Sequence, residues 1–188
     1  MNDVFKSWSN DLIPVQITKD ENGNKDARPK PWKDGQVYKS FKSNSIALRT
    51  GSNSVNVIDV DTKDLTLIQE PLKTWLEDRL LFEDTLIVES LNGYHFYFDA
   101  SVFTLRTTTK TGANSSQLDY VDFRGEGGLI FIHSTSDIAS YKVIAEAEPT
   151  LDIAEIITLL PKHQERVEEI EDSVGFGNLD DANDTEVS

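Results

Sequence analysis

Asp59 and Asp61 end the stretch VNVIDVD, residues 55–61. Side chains alternate along a strand, so Val55, Val57, Asp59 and Asp61 share one face while Asn56, Ile58 and Val60 take the other. Two carboxylates about 7 Å apart on one face repel unless solvent or a cation neutralises them. Two readings account for the pair. Aspartate favours the turn that follows a strand, or the hard carboxylate oxygens hold a magnesium ion.

Two further stretches carry comparable residues. His95 lies in SLNGYHFYF, where alternation puts His95, Tyr97 and Asp99 on one face and Tyr94, Phe96 and Phe98 on the other. An imidazole there closes a hydrogen bond within a hairpin or donates to a phosphate oxygen. Asp122, in YVDFRGEGG, shares a face with Tyr120 and Arg124, opposite Val121 and Phe123. A carboxylate in mid-strand between apolar neighbours needs a partner or a metal, and Arg124, two residues on, is the candidate partner. Lys30, Arg49 beside Thr50-Gly51, Ser90, Lys110 and Arg124 all fall next to turns or to these motifs. They are ordinary surface residues unless they converge, as triphosphate binding requires.

The elements that must position these residues follow from hydrophobic pattern. LIPVQI (12–17), SIALRTG (45–51) and SVNVIDVD (54–61) read as strands. The polar stretch TKDENGNKDARPKPWKDGQ, with its Gly and Pro-X-Pro, reads as a loop. From Leu65 to Phe82, Leu65, Ile68, Leu72, Trp75, Leu76 and Leu80 recur at helical spacing, and Pro71 in a first turn places the start of the helix near Glu70. TLIVES and YHFYFD read as strands joined by the turn LNG, and YVDFRGEGGLIFIHS as a second hairpin around Gly125–Gly128. YKVIA adds a last strand and DIAEIITLL an amphipathic helix. The stretch 104–119, TLRTTTKTGANSSQLD, lacks apolar periodicity and reads as a mobile loop. One early crossover helix and later hairpins predict an α+β architecture with a helix-covered sheet, not a doubly wound parallel fold.

The chain has 188 residues, 38% of them hydrophobic, and no cysteine. That is enough for one well-filled domain or two small modules sharing a core. The lack of cysteine excludes disulfides and cysteine zinc sites and fits a reducing compartment. No signal pattern opens the chain and no apolar run reaches membrane-spanning length, so a soluble, cytoplasmic protein with no membrane partner is expected. Residues 161–188 hold nine acidic and two basic residues and are expected to form a disordered acidic tail behind a domain at 1–160. With a net charge of −15, the chain lacks the basic excess of a nucleic-acid binder that works by electrostatics alone.

Taken in order, IALRTGSNSVNVIDVDTKD, VESLNGYHFYF and YVDFRGEGGLIFIHS resemble the catalytic domain of the archaeo-eukaryotic primase superfamily, in its bifunctional primase-polymerase branch. The branch shows an Asp-X-Asp or Asp-X-Glu at a strand end, a Ser/Gly-rich turn followed by His, and a hydrophobic-Asp strand. RPKPW, like the branch's upstream Lys-X-Pro loop, also fits, and the likeness runs from Leu12 to Leu160. It departs in two places: Leu91-Asn92-Gly93 stands where Ser-Gly-Gly is usual, and Ile132-His133-Ser134 where Pro-Pro-Ser is frequent.

The resemblance implies a two-module fold, an N-terminal α/β unit packed on a C-terminal sheet like an RNA-recognition motif, with the active site in the cleft. It implies that Asp59, Asp61 and Asp122 hold two divalent ions, Mg²⁺ or Mn²⁺. His95 would contact the incoming triphosphate, with Ser90, Arg49, Lys110, Arg124 and Ser134 as further nucleotide-binding candidates. The implied activity is that of a template-directed nucleotidyltransferase, a DNA primase or polymerase. Its partners would be single-stranded DNA template or primer-template and NTPs or dNTPs. A helicase or template-binding subunit would complete the set, since the chain has neither a Gly-rich Lys-Ser/Thr loop nor a zinc ribbon. The expected setting is the cytoplasm or a site of viral or plasmid DNA replication. Three other readings compete: an inactive replication or nucleic-acid-binding subunit of the same fold, a metal-dependent nuclease, and a plain α+β domain with surface acids.

Overall fold

A computed structural model describes residues 2–23, 25–29, 42–52, 54–101, 104–108, 118–151 and 153–158. Lys30, most of RPKPW, Lys110 and the acidic tail lie outside these residues. The protein is a sheet-rich α+β structure with two antiparallel sheets and few helices. Among the described residues, no helix is long and apolar enough to cross a membrane.

A 3₁₀ helix at Asp3–Asp11 leads into β1 (Leu12–Lys19), β2 (Lys25–Pro29), β3 (Ser45–Arg49) and β4 (Val55–Val60). After a short 3₁₀ turn at Leu65–Leu67 come α1 (Leu72–Phe82), β5 (Leu86–Ser90), β6 (Tyr94–Asp99), β7 (Val121–Arg124), β8 (Leu129–Ser134), β9 (Tyr141–Glu146) and α2 (Ala154–Thr158). The four-stranded sheet runs β2-β1-β3-β8 and the five-stranded sheet β7-β4-β6-β5-β9.

The five-stranded sheet is covered on both faces, which explains why β4 is apolar on both. Ile58, Val60, Phe96, Phe98, Val121 and Phe123 face α1 and α2, packing against Leu72, Leu76, Ile153, Ile156 and Ile157. Val55, Val57, Leu86, Val88 and Tyr97 face the other way and share a core with Leu48, Ile130 and Ile132 of the four-stranded sheet. Phe5, fully buried, anchors the N-terminal 3₁₀ helix in this second core. Asp59 and His95 lie on the same face as Val57 and Tyr97 and so look toward the other sheet.

Two local expectations are corrected. Part of the polar stretch after β1 is a strand: Lys19↔Lys25 to Val15↔Pro29 pair as a hairpin. Its turn is closed by Gly23 N–H donating to the Asp20 carbonyl (3.0 Å), with Gly23 at φ +81. An edge strand needs partners on one side only, so composition as polar as KDARP suffices, and Pro29 is tolerated there. The helix in the segment 65–82 starts close to where Pro71 placed it, after a separate 3₁₀ turn at Leu65–Leu67. Asp64 caps the 3₁₀ turn through Thr66 N–H (3.1 Å), and α1 starts after Pro71. The apolar positions still converge, with Leu65, Ile68, Leu72 and Leu76 buried and Trp75 and Leu80 beside them.

The second correction bears on the site. β7 and β8 are not a hairpin, because β7 pairs with β4 and β8 with β3, in different sheets. The Gly-rich turn 125–128 carries the chain from one sheet to the other, and the turn 50–54 does the same between β3 and β4. The two crossings are latched together. Thr50 donates its amide to the Gly128 carbonyl (3.0 Å) and its hydroxyl to the Gly125 carbonyl (2.7 Å). Thr50→Val keeps the shape but removes one of two donors from the buried Gly125 carbonyl, which keeps the Gly128 amide (3.0 Å), at a cost of about 0.5–1.5 kcal/mol. The expected result is a lower urea midpoint with an unchanged m value.

Candidate active site

Register brings the acidic and basic residues together. In the β4–β7 ladder Asp59 stands opposite Asp122, and in the β4–β6 ladder it stands opposite His95. Asp122, Asp59 and His95 therefore form one row across three adjacent strands, all on the face toward the other sheet. Arg124, two residues from Asp122 on that face, closes over the row. Its Nη2 lies 3.1 Å from Asp59 Oδ2 and 3.0 Å from Asp122 Oδ2. The Arg124 side chain is 23% exposed, against 13% for Asp59 and 5% for Asp122. Two near-buried carboxylates thus share one guanidinium, as burial of like charges requires.

His95 Nε2 lies 3.5 Å from Asp59 Oδ1, and Nδ1 is buried with no partner among the described residues. Burial pushes the His95 imidazole below its ordinary pKa; Arg124 and Lys25 add to the shift, while Asp59 and Asp61 oppose it. The ring is therefore neutral at pH 7, with one N–H to give and one lone pair to accept. The Tyr141 ring packs 5.7 Å from His95 and stacks on Phe131 at 6.2 Å. Burial raises the Tyr141 hydroxyl pKa, and the charges of Asp59 and Asp61 raise it further, so it stays protonated.

Asp59 and His95 of this row, with Arg124, line a cleft of about 570 Å³ between the sheets, and buried Asp122 lies behind that lining. Asp59, Asp61, Ser90, His95, Arg124 and Tyr141 line it from the five-stranded sheet and its turns; Lys19, Lys25 and Phe131 are among those lining it from the four-stranded sheet. Lys19 and Lys25, a directly paired couple at the tip of the β1–β2 hairpin, are site residues that sequence reasoning missed. Lys25 Nζ also lies 5.2 Å from the centre of the Phe131 ring. The Asn-Gly turn flanked by two lysines was the available signal, hidden because the strand it serves is polar. With Arg124, these lysines give an acidic protein a locally mixed cleft.

Asp61 follows the end of β4, its amide donating to the Tyr120 carbonyl (2.8 Å). Ser90 Oγ accepts from Gly93 N–H (3.0 Å), which closes the turn before His95. Arg49 and Ser134 are not in this cleft. Arg49 pairs with Asp11 (Nη2 to Oδ1, 2.6 Å) beside a separate pocket of about 210 Å³. Ser134 Oγ lies 2.7 Å from Ser45 Oγ at the far end of β8. Lys110 lies outside the described residues.

The donor chemistry suits a hard divalent cation, since Asp59 and Asp122 present carboxylate oxygens side by side with Asp61 in the same cleft. The positive charge between the first two is the Arg124 guanidinium. Among the described residues, no three His, Cys, Asp or Glu side chains are gathered as a ready metal cage.

Compared with known families, residues 5–157 match the family model for the N-terminal domain of bifunctional DNA primase/polymerase, Prim-Pol. No curated protein and no solved structure matches the chain.

Proposed function

Because the chain belongs to the bifunctional DNA primase/polymerase family, we propose that it is a template-directed nucleotidyltransferase of DNA replication, adding NTPs or dNTPs to the 3′-hydroxyl of a growing strand. The observation that carries this is the Asp122–Asp59–His95 row, whose Asp59 and His95 line a cleft together with Lys19, Lys25 and two stacked aromatic rings.

In this reading Asp59, Asp61 and Asp122 hold Mg²⁺ or Mn²⁺. When bound, such ions lower the pKa of the attacking hydroxyl and neutralise charge on the leaving pyrophosphate. The protein's own side chains do the rest. Arg124, Lys25 and Lys19 meet phosphate oxygens, the guanidinium through a planar fork and the lysines as point charges. Neutral His95 donates one hydrogen bond to the triphosphate without adding charge. Tyr141 and Phe131 offer an apolar wall against which a sugar or base packs.

We take residues 1–160 as the catalytic domain, built of an N-terminal unit and a sheet like an RNA-recognition motif. The strand sequence β4, β5, β6, β7, with α1 after the first, assembles in the order β7-β4-β6-β5 with every pair antiparallel. This is the strand order of that motif, and it supports the two-module reading. Template DNA, and a helicase or template-binding subunit, are the partners this activity calls for.

A second reading rests on one observation: Arg124 already neutralises the carboxylates that a catalyst needs for metal. A subunit that binds nucleic acid without turnover would show the same ion pair. Incorporation of labelled dNTPs and NTPs on primed and unprimed single-stranded template, with Mg²⁺ or Mn²⁺, separates the two. Metal-dependent extension that disappears in Asp59→Ala/Asp61→Ala is the expected result. Nucleic-acid binding with no product in any lane would replace the first reading with the second.

A further inference from the structure

Arg124 and a divalent ion would compete for the same two oxygen atoms. Nη2 lies about 3 Å from both Asp59 Oδ2 and Asp122 Oδ2. A metal bound by those oxygens sits about 2.1 Å from each, in space the guanidinium nitrogen already takes up. The two cations exclude one another there. Removing both would take the shared positive charge away from two mostly buried carboxylates on adjacent strands. The arginine is the more exposed of the three side chains and lines the cleft. It can therefore leave the carboxylates without opening the core.

We propose that Arg124 is an internal substitute for the metal: it holds Asp59 and Asp122 together in the metal-free protein, and a divalent ion loads only by displacing it. Resting on the reading given above, this adds an order of events. The displaced guanidinium swings into the cleft carrying a full positive charge, where a triphosphate is the natural anion to receive it. Metal loading is thus uphill for the free protein and becomes favourable when an anionic nucleotide takes over the arginine. The device keeps the site charge-balanced in both states.

The test is Mn²⁺ binding to the full chain without nucleotide, followed by calorimetry and by the paramagnetic resonance of free Mn²⁺ at fixed ionic strength. Arg124→Gln should bind Mn²⁺ about tenfold tighter than wild type, because a competing charge is gone. Lys25→Gln, which removes a charge from the same cleft without touching either carboxylate oxygen, should shift binding by no more than about twofold, as a partly solvated charge acts weakly at a distance. Arg124→Lys, which keeps the charge but loses the planar fork, should fall between wild type and Arg124→Gln. It also serves if the glutamine variant does not fold.

Equal Mn²⁺ affinity in wild type and both Arg124 variants would overturn the substitution. So would an equal gain in Lys25→Gln, which would reduce Arg124 to one contributor to a general field. Adding Asp59→Asn to Arg124→Gln must abolish the tight binding. If wild-type affinity is unchanged by Asp59→Asn, the ion lies elsewhere, and both the substitution and the metal assignment fall. If only the Arg124 comparison is flat, the substitution alone falls.

Discussion

Asp59→Asn should lower template-directed incorporation by at least about 100-fold, the scale seen when one preorganised electrostatic group is removed from an active site, while the protein stays folded. Asparagine keeps the size of the side chain and one carbonyl oxygen, so the β4 ladders to β6 and β7 survive. What goes is the charge at the centre of the row, on a carboxylate that touches both Arg124 and His95. Arg124 keeps its pairing with Asp122, so the buried positive charge is not stranded. Primer-extension rates and melting temperature, measured on one preparation, should therefore part company: activity lost, melting shifted by a few degrees at most. Loss of both together would mean that Asp59 is chiefly structural. Activity retained would remove the row from the chemistry altogether.

Gly93→Ala should be among the most damaging single-methyl changes in the described structure. A Cβ at Gly93 would lie 1.9 Å from the Val60 carbonyl oxygen and 2.7 Å from the Thr62 amide nitrogen. Both are backbone atoms flanking Asp61, and neither can rotate away. Relief requires the turn before β6 to separate from the end of β4, and overpacking against rigid backbone costs at least about 3 kcal/mol. For a chain of this size that is a fall of roughly 6–12 °C in melting temperature. Gly23→Ala is the control: φ is +81 but no atom lies within 4 Å, so only conformational strain of about 1 kcal/mol applies. Similar melting temperatures for the two variants would refute the close approach.

That glycine also shows what could be read in advance. In LNG the turn was legible, and the leucine and asparagine departures fall on exposed residues, with Leu91 55% exposed. The glycine retained is the one whose place against β4 admits no side chain. Strands with strong apolar content, β1, β3, β4, β5, β6 and β9, announced themselves because burial on one or both faces demands it. The grouping of Asp59, Asp122 and His95 came from the family resemblance, because alternation fixes the face of each side chain but not which strands adjoin.

What stayed hidden was long-range or polar. No local pattern says that 121–124 and 129–134 go to different sheets, because a glycine turn serves a hairpin and a crossing equally well. β2 was missed because an edge strand needs no apolar alternation, and with it went Lys19 and Lys25. Arg49 was placed near the nucleotide by its neighbours in sequence and Ser134 by the family's Pro-Pro-Ser, and neither lines the cleft. Arg124 was foreseen as a partner for Asp122, but its simultaneous hold on Asp59 depends on a ladder between residues 65 positions apart.

The row itself has an implication for how this architecture can vary. Asp122, Asp59 and His95 come from three strands far apart along the chain, and only hydrogen-bond register aligns them. Away from the tightly packed turn at Gly93, the connections between those strands can grow or acquire whole modules without moving the three side chains, because the cost of closing a loop rises only slowly with its length. A single residue inserted between Val55 and Asp59 has the opposite effect. It would turn the aspartate from the cleft toward the helices and bury a charge against Phe96 and Leu76. The chemistry is thus insulated from change in the loops and brittle to change in the ladders, a division of labour that leaves substrate choice to be rewritten at the periphery while the centre stays fixed.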